Sequence, residues 1–160
     1  MIHAFTPFAI FATVSTFDTQ KILHLRSLLE FEFFFSKKSK FLNKIESSNL
    51  GDLKNDFALL LDDYLEIIIW QTKALLHFRK AKITTRDWLN KILKFGEELV
   101  DAGEIIHNHA VNTQSIKTFL LMAQHKKWLI PTENNPLKFE VNKIKTLENN
   151  IPLLVSYRKY

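Results

Sequence analysis

Six histidines, His3, His24, His77, His107, His109 and His125, are the residues most suited to metal or proton chemistry. His107 and His109 are two apart, a spacing that on a strand puts both on one face and makes half a metal site. No third ligand stands at a recognisable distance in sequence, so the pair reads as a polar turn. Asp62, Asp63 and, one turn on, Glu66 form an acidic patch. Acid–base catalysis would require their environments to differ sharply, and on a long helix they read as a solvated face. Ser115 has Asn112 and Gln114 nearby but no histidine at a telling spacing, which argues against a nucleophile. Gly51, Gly96 and Gly103 stand alone, too scattered to cradle a phosphate. With no cysteine, disulfides and thiolate metal sites are excluded, and a reducing compartment suits the chain. No catalytic residue, metal ligand or cofactor site is assigned.

Residue types that touch nucleic acid are better represented. A helix over Thr113–His125 offers Gln114, Lys117, Thr118 and Gln124, with Lys126 and Lys127 directly after it. Gln114, Lys117, Lys126 and Lys127 are the candidate contacts. The net charge of +5 favours an anionic partner, nucleic acid or acidic phospholipid, although a charge of this size is ordinary for a soluble domain. Arginine, the commonest base reader, is absent between Arg86 and Arg158, and Phe119, Leu120, Leu121 and Met122 make much of the helix apolar.

The elements that would position these residues follow from capping and periodicity. At 160 residues the chain is expected to form one compact, mainly α unit of five or six packed helices with a small β-hairpin. Fourteen Phe against three Gly and four Pro favour helices packed on helices. Thr84 and Asp87 have capping-box spacing, and Trp88, Leu89, Ile92, Leu93, Phe95, Leu99 and Val100 then repeat with a period of about 3.6 up to Gly103, where a left-handed cap would fall. Asn112 caps the next helix, and Trp128–Pro131 and Leu137–Val141 read as a hairpin around Asn134-Asn135-Pro136. Residues 83–141 are thus a helix-turn-helix-wing module. Before it lie apolar N-terminal helices over residues 1–50 and a central helix over 53–78. After it, Asn142 is expected to cap a helix through Ile144 and Leu147 that Asn149-Asn150-Ile151-Pro152 interrupts. Residues 1–17 carry no Asp, Glu, Lys or Arg, yet the stretch is too short to span a bilayer and has no basic lead-in for secretion. It reads as a buried core helix or an interfacial one, with a chain start that once lay mid-domain as a third alternative. Ser36–Gly51, with Lys37, Lys38, Lys40 and Lys44, reads as a basic loop around a short helix, and Phe31–Phe35 as a cluster suited to docking.

Several of these segments together resemble the C-terminal region of the glycerol-3-phosphate/dihydroxyacetone-phosphate acyltransferase family. The likeness is carried by His3 leading into Ala9-Ile10-Phe11-Ala12, by Leu28–Phe35, by Leu59–Glu66, and by Gly103–Ile106 through Ile116, Phe119 and Leu120 to Trp128-Leu129-Ile130. It is a pattern of apolar positions over most of the chain. The family's catalytic histidine-x4-aspartate motif has no counterpart, since the residues five beyond the histidines are Phe8, Leu29, Lys82, Asn112, Gln114 and Ile130. The resemblance therefore implies a non-catalytic accessory domain in phospholipid biosynthesis. Its implied partners are an acyltransferase catalytic domain or chain and an anionic membrane surface, at a cytoplasmic location or the cytoplasmic face of a membrane. The residue chemistry itself supports the alternative, a winged-helix nucleic-acid-binding module, and beyond that a helical interaction protein docking through Phe31–Phe35.

Overall fold

The computed structural model describes residues 19–29 and 54–158. The helix expected over Met1–Phe17, the Phe31–Phe35 cluster and the basic loop Ser36–Gly51 lie outside the described residues. The described elements are mainly helical, with one small antiparallel sheet, as the composition predicts. The chain divides into two compact units, residues 1–63 with 157–160, and residues 64–156. Among the described residues, no helix is long and apolar enough to cross a membrane.

In the first unit, helix α1 (Thr19–Leu29) buries Ile22 and Leu25 completely. Near the end of the unit, the Arg158 guanidinium donates from Nε to Asp62 Oδ1 at 3.2 Å and from a terminal nitrogen to Oδ2 at 2.7 Å. Asp62 is only 4% exposed, so it does not lie on the solvated face expected of it. The two-pronged fork replaces the water that burial strips from the carboxylate. The long helix α2 (Lys54–His77) starts in this unit and continues in the second.

In the second unit, α2 buries Leu65, Ile68, Ile69, Trp70, Ala74 and Leu75. A two-residue strand β1 (Ile83–Thr84) leads into α3 (Thr85–Asp101), then a 3-10 turn over Asn108–Ala110, then α4 (Thr113–His125). Strands β2 (Leu129–Thr132) and β3 (Asn135–Val141) form the hairpin, and α5 (Ile144–Val155) closes the unit. The sheet order is β1-β3-β2, all antiparallel. Helix, strand, helix, helix and hairpin follow one another in this unit, in the helix-turn-helix-hairpin order expected for residues 83–141.

The boundaries of α3 and the end of α4 have local causes. Thr84 Oγ1 accepts the Asp87 amide at 3.2 Å and donates to Asp87 Oδ2 at 2.7 Å, which starts α3. Such a cap contributes about 1 kcal/mol. At the other end Gly103 adopts φ +71°, with its amide on Val100 O and the Glu104 amide on Leu99 O. The paired bonds are a Schellman cap. Helix α4 ends in the same motif, the Lys127 amide bonding Gln124 O and the Trp128 amide bonding Ala123 O, but here a lysine holds the left-handed position at φ 57°. Trp128 is consumed by this cap, so β2 begins one residue later than the sequence pattern places it.

The hairpin turn is Glu133-Asn134, not Asn134-Asn135-Pro136. Asn135 pairs with Thr132 across the ladder, its Oδ1 accepts the Leu137 amide at 2.9 Å, and Thr132 Oγ1 donates to Asn135 O at 2.9 Å. These side-chain bonds extend β3 through Pro136, with an irregularity at Pro131/Thr132 taking up the register. Two expectations for α5 fail. Asn142 does not cap it: Asn142 Nδ2 donates to Lys127 O at 3.2 Å, and Lys143 occupies the cap position at φ 54° with no side-chain capping bond, its Nζ donating instead to Lys126 O at 3.1 Å. Pro152 lies inside the helix rather than interrupting it. A proline there costs about 3 kcal/mol, whereas burying Leu147 and Leu154 completely gains about 1.5–3 kcal/mol each.

Two contacts bind α3 into the unit. Trp88, fully buried, donates its indole N–H to Phe139 O in β3 at 3.1 Å. Gly96 lets the helix approach Trp70, because a Cβ at this position would stand 2.9 Å from Val111 Cγ1 and 3.0 Å from the Trp70 ring. Gly96→Ala is expected to destabilise the protein by about 1–3 kcal/mol, read as a lower urea midpoint. Lys127→Gly is expected to stabilise the protein by about 0.5–1 kcal/mol, read as a higher midpoint, since it relieves a left-handed lysine.

Candidate nucleic-acid interface

Helix α4 is two-faced. Ile116, Phe119, Leu120, Met122 and Ala123 are buried, while Gln114, Lys117, Leu121 and His125 are exposed and Thr118 and Gln124 are half-buried. The outward set spaces at three and four residues and so forms one stripe. Gln114 and Lys117 belong to it. Lys126 and Lys127 do not, because they sit in the cap beyond the helix, Lys126 half-buried and Lys127 exposed. From Lys117 to Lys126 the helix advances roughly 14 Å, so Gln114 and Lys117 lie toward the start of α4 and Lys126 and Lys127 beyond its end. Thr85 and Leu89 from α3, Lys117, Leu120, Leu121 and Gln124 from α4, and Phe139 from β3 line a shallow, mainly apolar groove beside the stripe.

Leu121 belongs to the apolar run of α4, yet it is 61% exposed. On the hairpin Leu137 is 73% exposed and Lys138 is exposed beside it, while Glu133 occupies the turn. Between Glu104 and Glu133 the chain has no carboxylate side chain, so the whole of α4 and both its flanks lack negative charge. Lys82, by contrast, is engaged: its Nζ lies 2.8 Å from Glu140 Oε2. That hydrogen bond, then the Glu140 charge, raises the lysine's pKa above its ordinary 10.5. Folding thus gains from this pair below pH 10.5 and loses the gain only as pH climbs through the raised value.

The N-terminal end of α4 is fixed from α2. Glu66, 2% exposed, accepts the amides of Ile106 at 3.0 Å and His107 at 2.9 Å, and His107 Nδ1 lies 2.9 Å from the same Oε2. The solvated-face expectation therefore fails for Glu66 as well, because three donors replace its hydration. His107 is on a turn rather than a strand, with the His109 ring 5.7 Å away. Among the described residues, no group of three ligand-type side chains gathers for a metal. Ser115 is structural: its amide bonds Asn112 Oδ1 at 2.8 Å, and its hydroxyl meets Gln71 Nε2 at 3.2 Å and Asn112 O at 3.0 Å. Glu66 was missed although a signal existed, since Ile69 and Trp70, three and four residues on, put it on an apolar stripe.

No protein-family model matches this chain, and neither a curated protein nor a solved structure matches it.

Glu66→Ala would strip two amides of their acceptor. It is expected to cost about 2–3 kcal/mol in chemical denaturation and to speed hydrogen exchange at Ile106 and His107 specifically.

Proposed function

We propose that the protein is a winged-helix nucleic-acid-binding module that docks α4 on duplex DNA. The observation that carries this reading is the outer stripe of α4, Gln114, Lys117, Thr118, Leu121 and His125, set within a stretch devoid of carboxylates and followed by the hairpin. A helix fits the major groove, where glutamine pairs with adenine, lysine with guanine or phosphate, and an aliphatic side chain meets the thymine methyl. Lys126 and Lys127 beyond the helix, and Lys138 on β3, supply phosphate contacts that set position rather than sequence.

Duplex binding followed by fluorescence anisotropy between about 50 and 200 mM salt tests the reading. The expected result is affinity that falls steeply with salt, with Lys117→Ala reducing the log–log slope by about one. Absence of duplex binding at the lowest salt would sink it.

The accessory-domain reading implied by the acyltransferase resemblance is supported by one observation, the exposure of Leu121 and Leu137, a pairing suited to a protein partner. It takes precedence if duplex binding is absent and the native chain fractionates with membranes in an assembly that Leu121→Asp releases.

A further inference from the structure

On the other flank of α3 lies a second surface that the α4 stripe does not touch. Leu89 faces the α4 groove, and Lys91, two residues on, is turned about 200° from it around the helix axis. Lys91, Lys94, Phe95 and Glu98 line a groove with His77 and Phe78, where α2 ends, and the same two residues line a continuation with Arg79, Lys80 and Ala81. Three rings cluster here. His77 and Phe95 centroids are 5.0 Å apart, His77 and Phe78 4.7 Å edge to face, and Phe78 and Phe95 5.9 Å edge to face. Lys91 Nζ stands 5.0 Å from the Phe78 centroid, over the ring. Arg79, Lys80, Lys91 and Lys94 are all exposed, and Phe78 and Phe95 are half-buried.

We propose that this groove binds single-stranded nucleic acid, with bases stacking on the His77–Phe78–Phe95 cluster and phosphates held by Arg79, Lys80, Lys91 and Lys94. Aromatic rings interleaved with cations form the combination that such strands require, because every base has a π-face and every link a charge. An anionic membrane fits less well. Interfacial binding needs apolar side chains that protrude into the lipid, whereas Phe78 and Phe95 are both half-buried and, among the described residues, no exposed aliphatic side chain lines the groove. Among the described lining residues Glu98 is the one carboxylate, and it opposes a phosphate there. The site does not rest on the α4 reading, since the two surfaces share no residue.

The test is anisotropy titration of the intact protein with a labelled oligothymidylate of about 20 nucleotides. It is run beside an abasic oligonucleotide of equal length, the duplex probe and phosphatidylserine-containing vesicles. The wild type is expected to bind the oligothymidylate about tenfold more tightly than the abasic strand. The Lys80→Gln/Lys94→Gln variant is expected to lose about tenfold, Phe78→Leu to lose the preference for bases, and Glu98→Gln to bind more tightly. Lys117→Ala should leave strand binding unchanged while altering duplex binding, which separates failure here from failure of the α4 reading. Thermal melts followed by circular dichroism confirm that each variant is folded. Equal affinity for the abasic strand, loss of strand binding in Lys117→Ala instead, or vesicle binding without oligonucleotide binding would each overturn the proposal.

Discussion

The unit formed by residues 64–156 depends on one buried carboxylate. Glu66 projects from a helix otherwise committed to Leu65, Ile68, Ile69 and Trp70, and the segment between α3 and α4 turns the Ile106 and His107 amides and the His107 ring toward it. A charge out of water demands full coordination, so the segment from Ile105 to Ala110 has little choice of path. Through that segment Glu66 sets where Asn112 caps α4 and hence which residues of α4 point outward. Gln71, a further turn along α2, reinforces the same placement through Ser115.

Helix α3 divides the labour of the unit. Its inner face, with Trp88, Ile92 and Leu99 buried, holds the core. One flank meets α4 along an apolar groove, and the other meets the end of α2 along an aromatic and basic one. Gly96 serves the inner face by admitting Trp70, so the spacing of all three surfaces rests on a missing methyl group. A helix used on every side cannot drift without disturbing each of its contacts, which suits a part that aligns two surfaces on a small scaffold.

What could be read in the sequence was local. The Thr84–Asp87 box, the Gly103 cap and the Asn112 cap involve residues at most five apart, and their chemistry is complete within one turn of chain. The helix-turn-helix-wing order followed from them. Longer-range satisfaction was not legible. Nothing adjacent to Asp62 announces Arg158, and nothing adjacent to Glu66 announces the amides of Ile106 and His107, so both carboxylates read as solvent-facing. Pro152 misled in the same way: the rule that proline breaks helices is local, and the burial of Leu147 and Leu154 that overrides it is not. For the candidate interface, Gln114 and Lys117 were legible as outward positions of an amphipathic helix, while the exposure of Leu121 depended on where the core ended. The basic and aromatic groove joins residues from two helices, a juxtaposition that only the fold creates.

The two prolines of the sheet have a consequence for how the protein meets copies of itself. Strand β2 forms an outer edge and carries Pro131, and β3, beyond its short pairing with β1, carries Pro136. Neither residue can donate a backbone hydrogen bond, and Pro131 removes a donor from a strand at the edge of the sheet formed by the described residues. An incoming strand therefore meets a gap along β2, which works against strand-by-strand growth of the sheet.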